Sequence, residues 1–507
     1  MQSRRKPSIN SKKFSILGVL AKSLLLLVII LIYNTVTFTS KQPNVETLEK
    51  GHQDSYNSLS EDQLAKRLGQ SIQFKTISHA EEYQNDYEEF IKLHAFLKKT
   101  FPLVHSYLDC QVIGDYSLLY HWKGQDPTLK PIMFAAHMDV VPIVNEDKWS
   151  YPPFSGKVAD GYVWGRGSMD DKLVVMALLE AIEDQLASGH HATLQRSIYL
   201  AFGHDEEVGG YRGASKMAAY LEEKGVTFEY ILDEGLPILL PPVFPGITRP
   251  IATLGMAEKG GLNLHLSVAS MGGHSSMPPK HTAIGILSAA ITKIEENPMP
   301  LSLQQARLVF DYVGREATLP MKLVFANMWL FEPIVSKVLS KTPALDALQR
   351  TTTAVTVFNG GNKPNVLPAF ANATINFRIA PSDSIQRVID HIRTTIDDDR
   401  ITLSVSDSIE PAPVTSPHTP SFKLIQSTII QEFSPDVIVA PAIMIANTDT
   451  RWYWNLTPNI YRFCPQLVSK TDHARFHGVD ERISTSNYKQ LVDFYYHLIK
   501  NGDKKLN

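Results

Sequence analysis

Three short apolar segments of this chain each run out into paired polar side chains. Residues 132–136 lead to His137 and Asp139, residues 198–202 to Glu206 and Glu207, and residues 230–232 to Asp233 and Glu234. Between the first two lies 172–186, where Leu173, Met176, Ala177 and Leu179 recur at helical spacing. Strand–helix–strand alternation of this kind predicts an α/β sheet with helices on both faces. In open sheets of that type, ligands gather beyond the carboxyl ends of the strands. The pattern therefore confines the candidate residues to one edge of one sheet. Asp170, in the turn before the helix, belongs to the same neighbourhood.

The 507 residues are enough for more than one domain. Residues 34–60 are polar and turn-rich. A different rhythm begins near 256: strands at 262–268, 354–358, 373–379 and 401–405 alternate with helices near 282–296 and 384–396. Two helices over four strands form a small sandwich. The stretch 301–350 interrupts it with a mostly helical pattern, as in Trp329, Leu330, Ile334, Val335 and Leu339. A hinge-like PAPVTSPHTP closes the unit at 411–420. Strand and helix signals then resume at 437–440 and 485–499. The expected organisation is a signal or anchor over 1–40, a linker over 41–60, a main α/β domain split between 61–255 and 412–507, and an inserted smaller α/β unit over 256–411.

At the N-terminus, Arg4, Arg5, Lys6, Lys12 and Lys13 precede the apolar stretch 14–33, which only Lys22 interrupts. A basic head before an apolar run marks the secretory route, either as a cleaved signal peptide or as a retained span with Lys22 snorkelling. Both place the bulk of the chain in the lumen or outside the cell. A net charge of −3 gives no electrostatic basis for nucleic-acid binding. With only Cys110 and Cys464, a cysteine-ligated metal is excluded as the main theme. Of the sequons at Asn372 and Asn455, the second lies outside predicted strands and is the expected glycan site.

Imidazole and carboxylate side chains suit zinc. Paired metals in hydrolases need a bridging oxygen ligand. The chain supplies both. Its ordered motifs PPFSG (152–156), GRGSMDDK (165–172), GHDEE (203–207), GHSSMPP (273–279), NVLP (365–368), NFRIAP (376–381), NTDTR (447–451) and HGVDERIS (477–484) resemble the two-zinc amidohydrolases that include aminoacylase, carboxypeptidase S and glutamate carboxypeptidase. Within that family they are similar to the vertebrate N-fatty-acyl-amino-acid synthase/hydrolases.

The resemblance implies a zinc-exopeptidase-like catalytic domain with an inserted lid, binding two Zn2+. Asp170 would bridge the ions. His137 would hold one together with Asp233 or Glu234, a choice the sequence leaves open. Glu207 and His477 would hold the other. Asp139 would orient His137, and Glu206 would be the general base. Asn365 and Arg378 resemble the pair that grips a free carboxylate, Arg451 is a further substrate contact, and His274 resembles the histidine that polarises the scissile carbonyl. In some relatives that histidine comes from a partner subunit, which implies a homodimer. The expected activity is cleavage and reversible formation of N-fatty-acyl amino acids. The rivals are a metallo-carboxypeptidase acting on short peptides and a non-catalytic lipid or amino-acid binding protein.

Overall fold

The computed structural model describes residues 9–45, 59–189 and 192–506. The basic residues at 4–6 and most of the expected linker lie outside these spans. The main sheet has eight strands in the spatial order Asp109–Ile113, Ser117–Trp122, Ile198–Gly203, Ile132–His137, Tyr230–Leu239, Ile460–Val468, Ile251–Glu258 and Ile438–Met444. The strand Ile132–His137 runs parallel to both neighbours and is buried along its whole length. A continuous apolar run is what a strand covered on both faces requires. On one face the helix Lys172–Ala187 packs against Thr485–Gly502 and Glu61–Ile72. Lys172–Ala187 is buried nearly all round, as befits a helix sandwiched between others.

Register brings the candidate residues level. His137 pairs with Gly203, and Phe134 pairs with both Leu200 and Leu232. Asp233 and Glu234 therefore follow directly beside Ala135 and Ala136. Glu206 and Glu207 lie on the short turn after Gly203. All arrive at the same carboxyl edge.

The second sheet is four-stranded and antiparallel, in the order Thr352–Gly360, Phe370–Ile379, Gly260–Ala269 and Ile401–Ile409. The strand Gly260–Ala269 alternates buried and half-buried residues, the mark of a sheet covered on one face. The helices Ala283–Glu296 and Ile385–Ile396 provide that cover, sharing a core with Leu264, Ile375 and Phe377. Thr282 and Ser384 cap them, each accepting a backbone N–H three residues on.

The helical stretch between these sheet elements takes its own course. Gln304–Val313 packs along the edge strand Ile438–Met444 of the main sheet, and Val309, Tyr312 and Val313 join the main core. Leu319–Ala326 instead meets the N-terminal helix Ile9–Thr37. Within that helix, Gly18–Thr37 is long and apolar enough to cross a membrane and is almost wholly uncovered by the rest of the fold.

Candidate metal and catalytic site

The centre of the site is one carboxylate between two imidazoles. Asp170 Oδ1 lies 3.0 Å from His137 Nε2, and Asp170 Oδ2 lies 3.0 Å from His477 Nε2. Glu234 Oε1 stands 3.4 Å from the same His137 nitrogen, and Glu207 Oε2 stands 3.3 Å from the His477 nitrogen. Ligand atoms of His137, Asp170 and Glu207, and separately of His137, Glu206 and Glu234, fall within 4.8 Å of one another.

The other ring nitrogen sets the orientation of His137. Nδ1 lies 3.0 Å from the carbonyl of Asp139 and 3.4 Å from its carboxylate. That carboxylate also accepts the backbone N–H groups of Glu206 and Glu207, each at 3.1 Å. Asp139 thereby ties the end of one strand to the turn after its neighbour.

Asp233 and Glu234 diverge where the strand is irregular, its register against the neighbouring strand shifting just after Asp233. Glu234 turns toward His137. Asp233 is buried, accepts the amide of Glu234 at 2.9 Å, and has no contact with either imidazole nitrogen among the described ion pairs and hydrogen bonds. Burial pushes Asp233 up to about 6. Burial and the charge of Asp170 push Glu234 up to about 8, against the pull of His137. Hydrogen bonds that His477 donates to Asp170 and Glu207 lift its imidazole to about 10.

The donor set fits a divalent cation. Two imidazole nitrogens and the carboxylates of Asp170, Glu206, Glu207 and Glu234 converge, and Glu207 Oε1 is buried with no hydrogen-bond partner among the described residues. Concentrated carboxylates of this kind need a compensating positive charge.

Several structural contributors were not singled out in the sequence. Glu481 is fully buried and accepts from the amides of Gly167 (2.9 Å), Met169 (2.7 Å) and Asp170 (3.2 Å), and from the guanidinium of Arg166. Arg166 Nη2 donates in turn to the carbonyls of His477 (3.1 Å) and Gly478 (3.3 Å). His477 has φ 57°, the left-handed region that few residues other than glycine adopt. The Arg166–Glu481 pair holds that conformation against the turn bearing Asp170. Asp171 accepts the backbone N–H of His137 at 3.2 Å. Asp449 is buried so close to Gly203 and Gly210 that a Cβ on either glycine would meet its oxygens at 2.4 and 2.2 Å. Both glycines are therefore required for this packing. The sequence signal for all these residues was the charged motif in which each stands.

Arg451 extends the site outward, with its guanidinium 3.7 Å from Glu206 Oε1. Arg378, at the end of its strand, donates to Asn447 Oδ1 at 2.8 Å. Burial and the nearby charge of Arg451 hold Arg378 below its usual value. Asn365 and His274 lie together on the small ribbon formed by Gly273–His274 and Val366–Leu367. The His274 side chain is exposed, and Nδ1 accepts from Ser276 N (3.1 Å) and lies 2.8 Å from its Oγ. Among the described hydrogen bonds and ion pairs, its ring does not reach the acidic cluster.

A carboxyl-edge cluster of imidazoles and carboxylates on an α/β sheet defines a metal-dependent hydrolase. The chain belongs to the M20/M25/M40 peptidase family, whose model matches residues 133–501. It is 57% identical over 510 residues to the probable carboxypeptidase S-like 2 of Dictyostelium discoideum, covering 99% of this chain and 98% of that one. It is 42% identical over 447 residues to the N-fatty-acyl-amino acid synthase/hydrolase PM20D1 of Xenopus tropicalis, covering 87% and 86%. Among solved structures, the M20 family metallo-carboxypeptidase Sso-CP2 from Sulfolobus solfataricus has the same fold. Its TM-score is 0.65 at 16% identity, over 87% of this chain and 99% of that one.

Proposed function

We propose that this chain is a zinc-dependent amidohydrolase that cleaves, and reversibly forms, N-fatty-acyl amino acids bearing a free carboxylate. The observation that carries the proposal is Asp170, whose two oxygens face His137 and His477 separately. Asp170 would bridge two zinc ions, with His137 and Glu234 on one and Glu207 and His477 on the other. Zinc, when bound, supplies Lewis acidity and makes water acidic enough to attack near neutral pH.

Glu206 takes the proton of the attacking water and returns it to the departing nitrogen. Burial, reinforced by neighbouring carboxylates and opposed by His137, pushes its pKa well above the ordinary value. That direction suits a group that must both accept and donate a proton. Arg378 holds the substrate carboxylate through its planar guanidinium, and Arg451 and Asn365 line the approach. His274 polarises the scissile carbonyl. Its exposed position within one chain supports a homodimer in which it serves the neighbouring copy. Gly18–Thr37 acts as a retained anchor, with the catalytic part lumenal or extracellular. The fastening of its last turns onto the fold supports retention.

A carboxypeptidase releasing C-terminal amino acids from short peptides is the second reading. The 57% identity to a chain named as carboxypeptidase S-like favours it. The two need the same catalytic centre and differ in the acyl pocket.

The test is steady-state hydrolysis of N-oleoyl-phenylalanine against an unacylated dipeptide, with and without chelator. Chelator-sensitive cleavage confined to the lipid amide supports the first reading. Preference for the dipeptide supports the second. Metal-independent behaviour toward both, with binding but no turnover, overturns both in favour of a binding protein.

A further inference from the structure

Outside the site, the largest anomaly is an apolar helix face that no described part of the fold covers. On the helix Met328–Leu339, Trp329 is 56% exposed, Leu330 38%, Ile334 62% and Val338 52%. Leu330, Ile334 and Val338 recur every four residues and so share one side of the helix. The other side is spoken for: Leu339 and Val335 pack into a small core with Phe310 and Phe325. The helix is therefore amphipathic, with its apolar face outward. Lys337 and Lys341 are exposed beside that face, and the nearby Glu332 is neutralised by Arg307.

The position of this helix identifies what covers it. Asn327, directly before its first residue, is fully buried against the N-terminal helix. It accepts from Asn34 Nδ2 at 2.9 Å and donates to the carbonyl of Leu31 at 3.2 Å. Arg315 stacks 4.1 Å over Phe38 and bonds the carbonyl of Thr39, so the exit of the apolar helix is clamped as well. The exposed face thus begins level with Leu31, six residues before the end of Gly18–Thr37. At 1.5 Å per residue that is roughly 9 Å inside the span. Interfacial amphipathic helices bury their apolar faces roughly 5–10 Å into the headgroup–acyl boundary. Tryptophan favours that boundary, and lysine stems reach from it to water.

We infer that Met328–Leu339 lies in the surface of the bilayer entered by Gly18–Thr37. The catalytic body is then seated on the membrane by two adjoining apolar contacts instead of swinging on one tether. The inference rests on retention of the N-terminal helix. That helix would hold the chain on vesicles by itself, so the decisive readout is depth at the second contact.

The full chain, with Cys110 replaced by Ser, is reconstituted into phosphatidylcholine vesicles. An environment-sensitive NBD fluorophore is placed on Ile334→Cys, on Val338→Cys, or on Lys363→Cys, an exposed polar position on the small unit. Nitroxide lipids labelled near the top of the acyl chain serve as quenchers. The expected result is loss of most of the fluorescence at 334 and 338, with none lost at 363. Water-like, unquenched emission at 334 and 338 in chains that float with vesicles overturns the inference while leaving the anchor intact. A blue-shifted but unquenched signal that grows with protein density shows that a second copy covers the face, and also overturns it. Failure of the full chain to float with vesicles overturns the anchor reading and this inference together.

Discussion

Asp170 Oδ2 and His477 Nε2 lie 3.0 Å apart although 307 residues separate them in sequence. The first arrives on a turn entering a buried helix, the second on a loop near the end of the chain. The inserted small sheet and the helical stretch 301–350 lie between them in sequence. The cluster therefore forms only when both parts of the main fold are assembled, and the Arg166–Glu481 pair is the clasp.

Replacing that clasp is predicted to weaken metal binding more than catalysis by the loaded enzyme. Glu481→Gln removes the charge facing Arg166 and leaves one acceptor oxygen, which cannot serve both Arg166 and the three backbone amides. Loss of a supporting partner of metal ligands typically costs roughly 10–100-fold in affinity. Competition with a chelator of known affinity measures it. Unchanged affinity would show that the turn at 166–170 holds itself.

Glu206→Gln is expected to keep its metal content and lose turnover. General acid–base catalysis contributes roughly 10²–10⁴-fold, so kcat should fall by that order while KM moves little. Metal analysis beside the kinetics separates this from ligand loss. A variant of undiminished kcat would remove Glu206 from the proton path.

Arg378→Ala is predicted to act on substrate recognition. A hydrogen bond to a charged group is worth about 1.5–3 kcal/mol, so kcat/KM for a free-acid substrate should fall roughly 10–100-fold. The corresponding methyl ester should be nearly indifferent to the change. Equal losses on acid and ester would place the substrate carboxylate elsewhere.

Much of this is legible in the sequence alone. The strands leading to His137, Glu206 and Asp233 follow from apolar runs of strand length, although the third does not stop at Leu232 but continues through Asp233 and Glu234 to Leu239, and the helices at 172, 282, 384 and 485 follow from their periodicity. What was not legible depends on neighbours. Whether Asp233 or Glu234 approaches His137 depends on a three-dimensional contact, Glu234 Oε1 to His137 Nε2, that alternation along the chain does not give. The strands Ile251–Glu258 and Ile460–Val468 are buried on nearly every residue. They lack the alternation that announces a strand, and Pro465 further masks the second. Glu481 and Asp449 read as ordinary motif charges until burial exposes their partners or lack of them. The pattern in 301–350 shows which side chains share a face but not that Gln304–Val313 meets the edge of the main sheet.

A pH effect on stability is expected away from the metal. Burial, opposed by Lys489, raises the Asp493 carboxyl to about 6. An unfolded aspartate titrates near ~3.9. Between these values the folded chain holds the proton and the unfolded chain has lost it. The contribution of Asp493 to stability is therefore greatest below about pH 4 and falls as pH rises to about 6. In Asp493→Asn that fall should vanish, leaving the variant relatively more stable at neutral pH by up to about 3 kcal/mol. Urea unfolding of both proteins across pH 4–7 tests this; parallel profiles would contradict it.

The most direct test of the shared carboxylate is anomalous scattering at the zinc absorption edge from crystals of the metal-loaded chain. The predicted result is two peaks about 3.5–4 Å apart, with Asp170 between them, His137 and Glu234 beside one, and Glu207 and His477 beside the other. A single peak, or two peaks that do not share Asp170, would contradict the proposed centre.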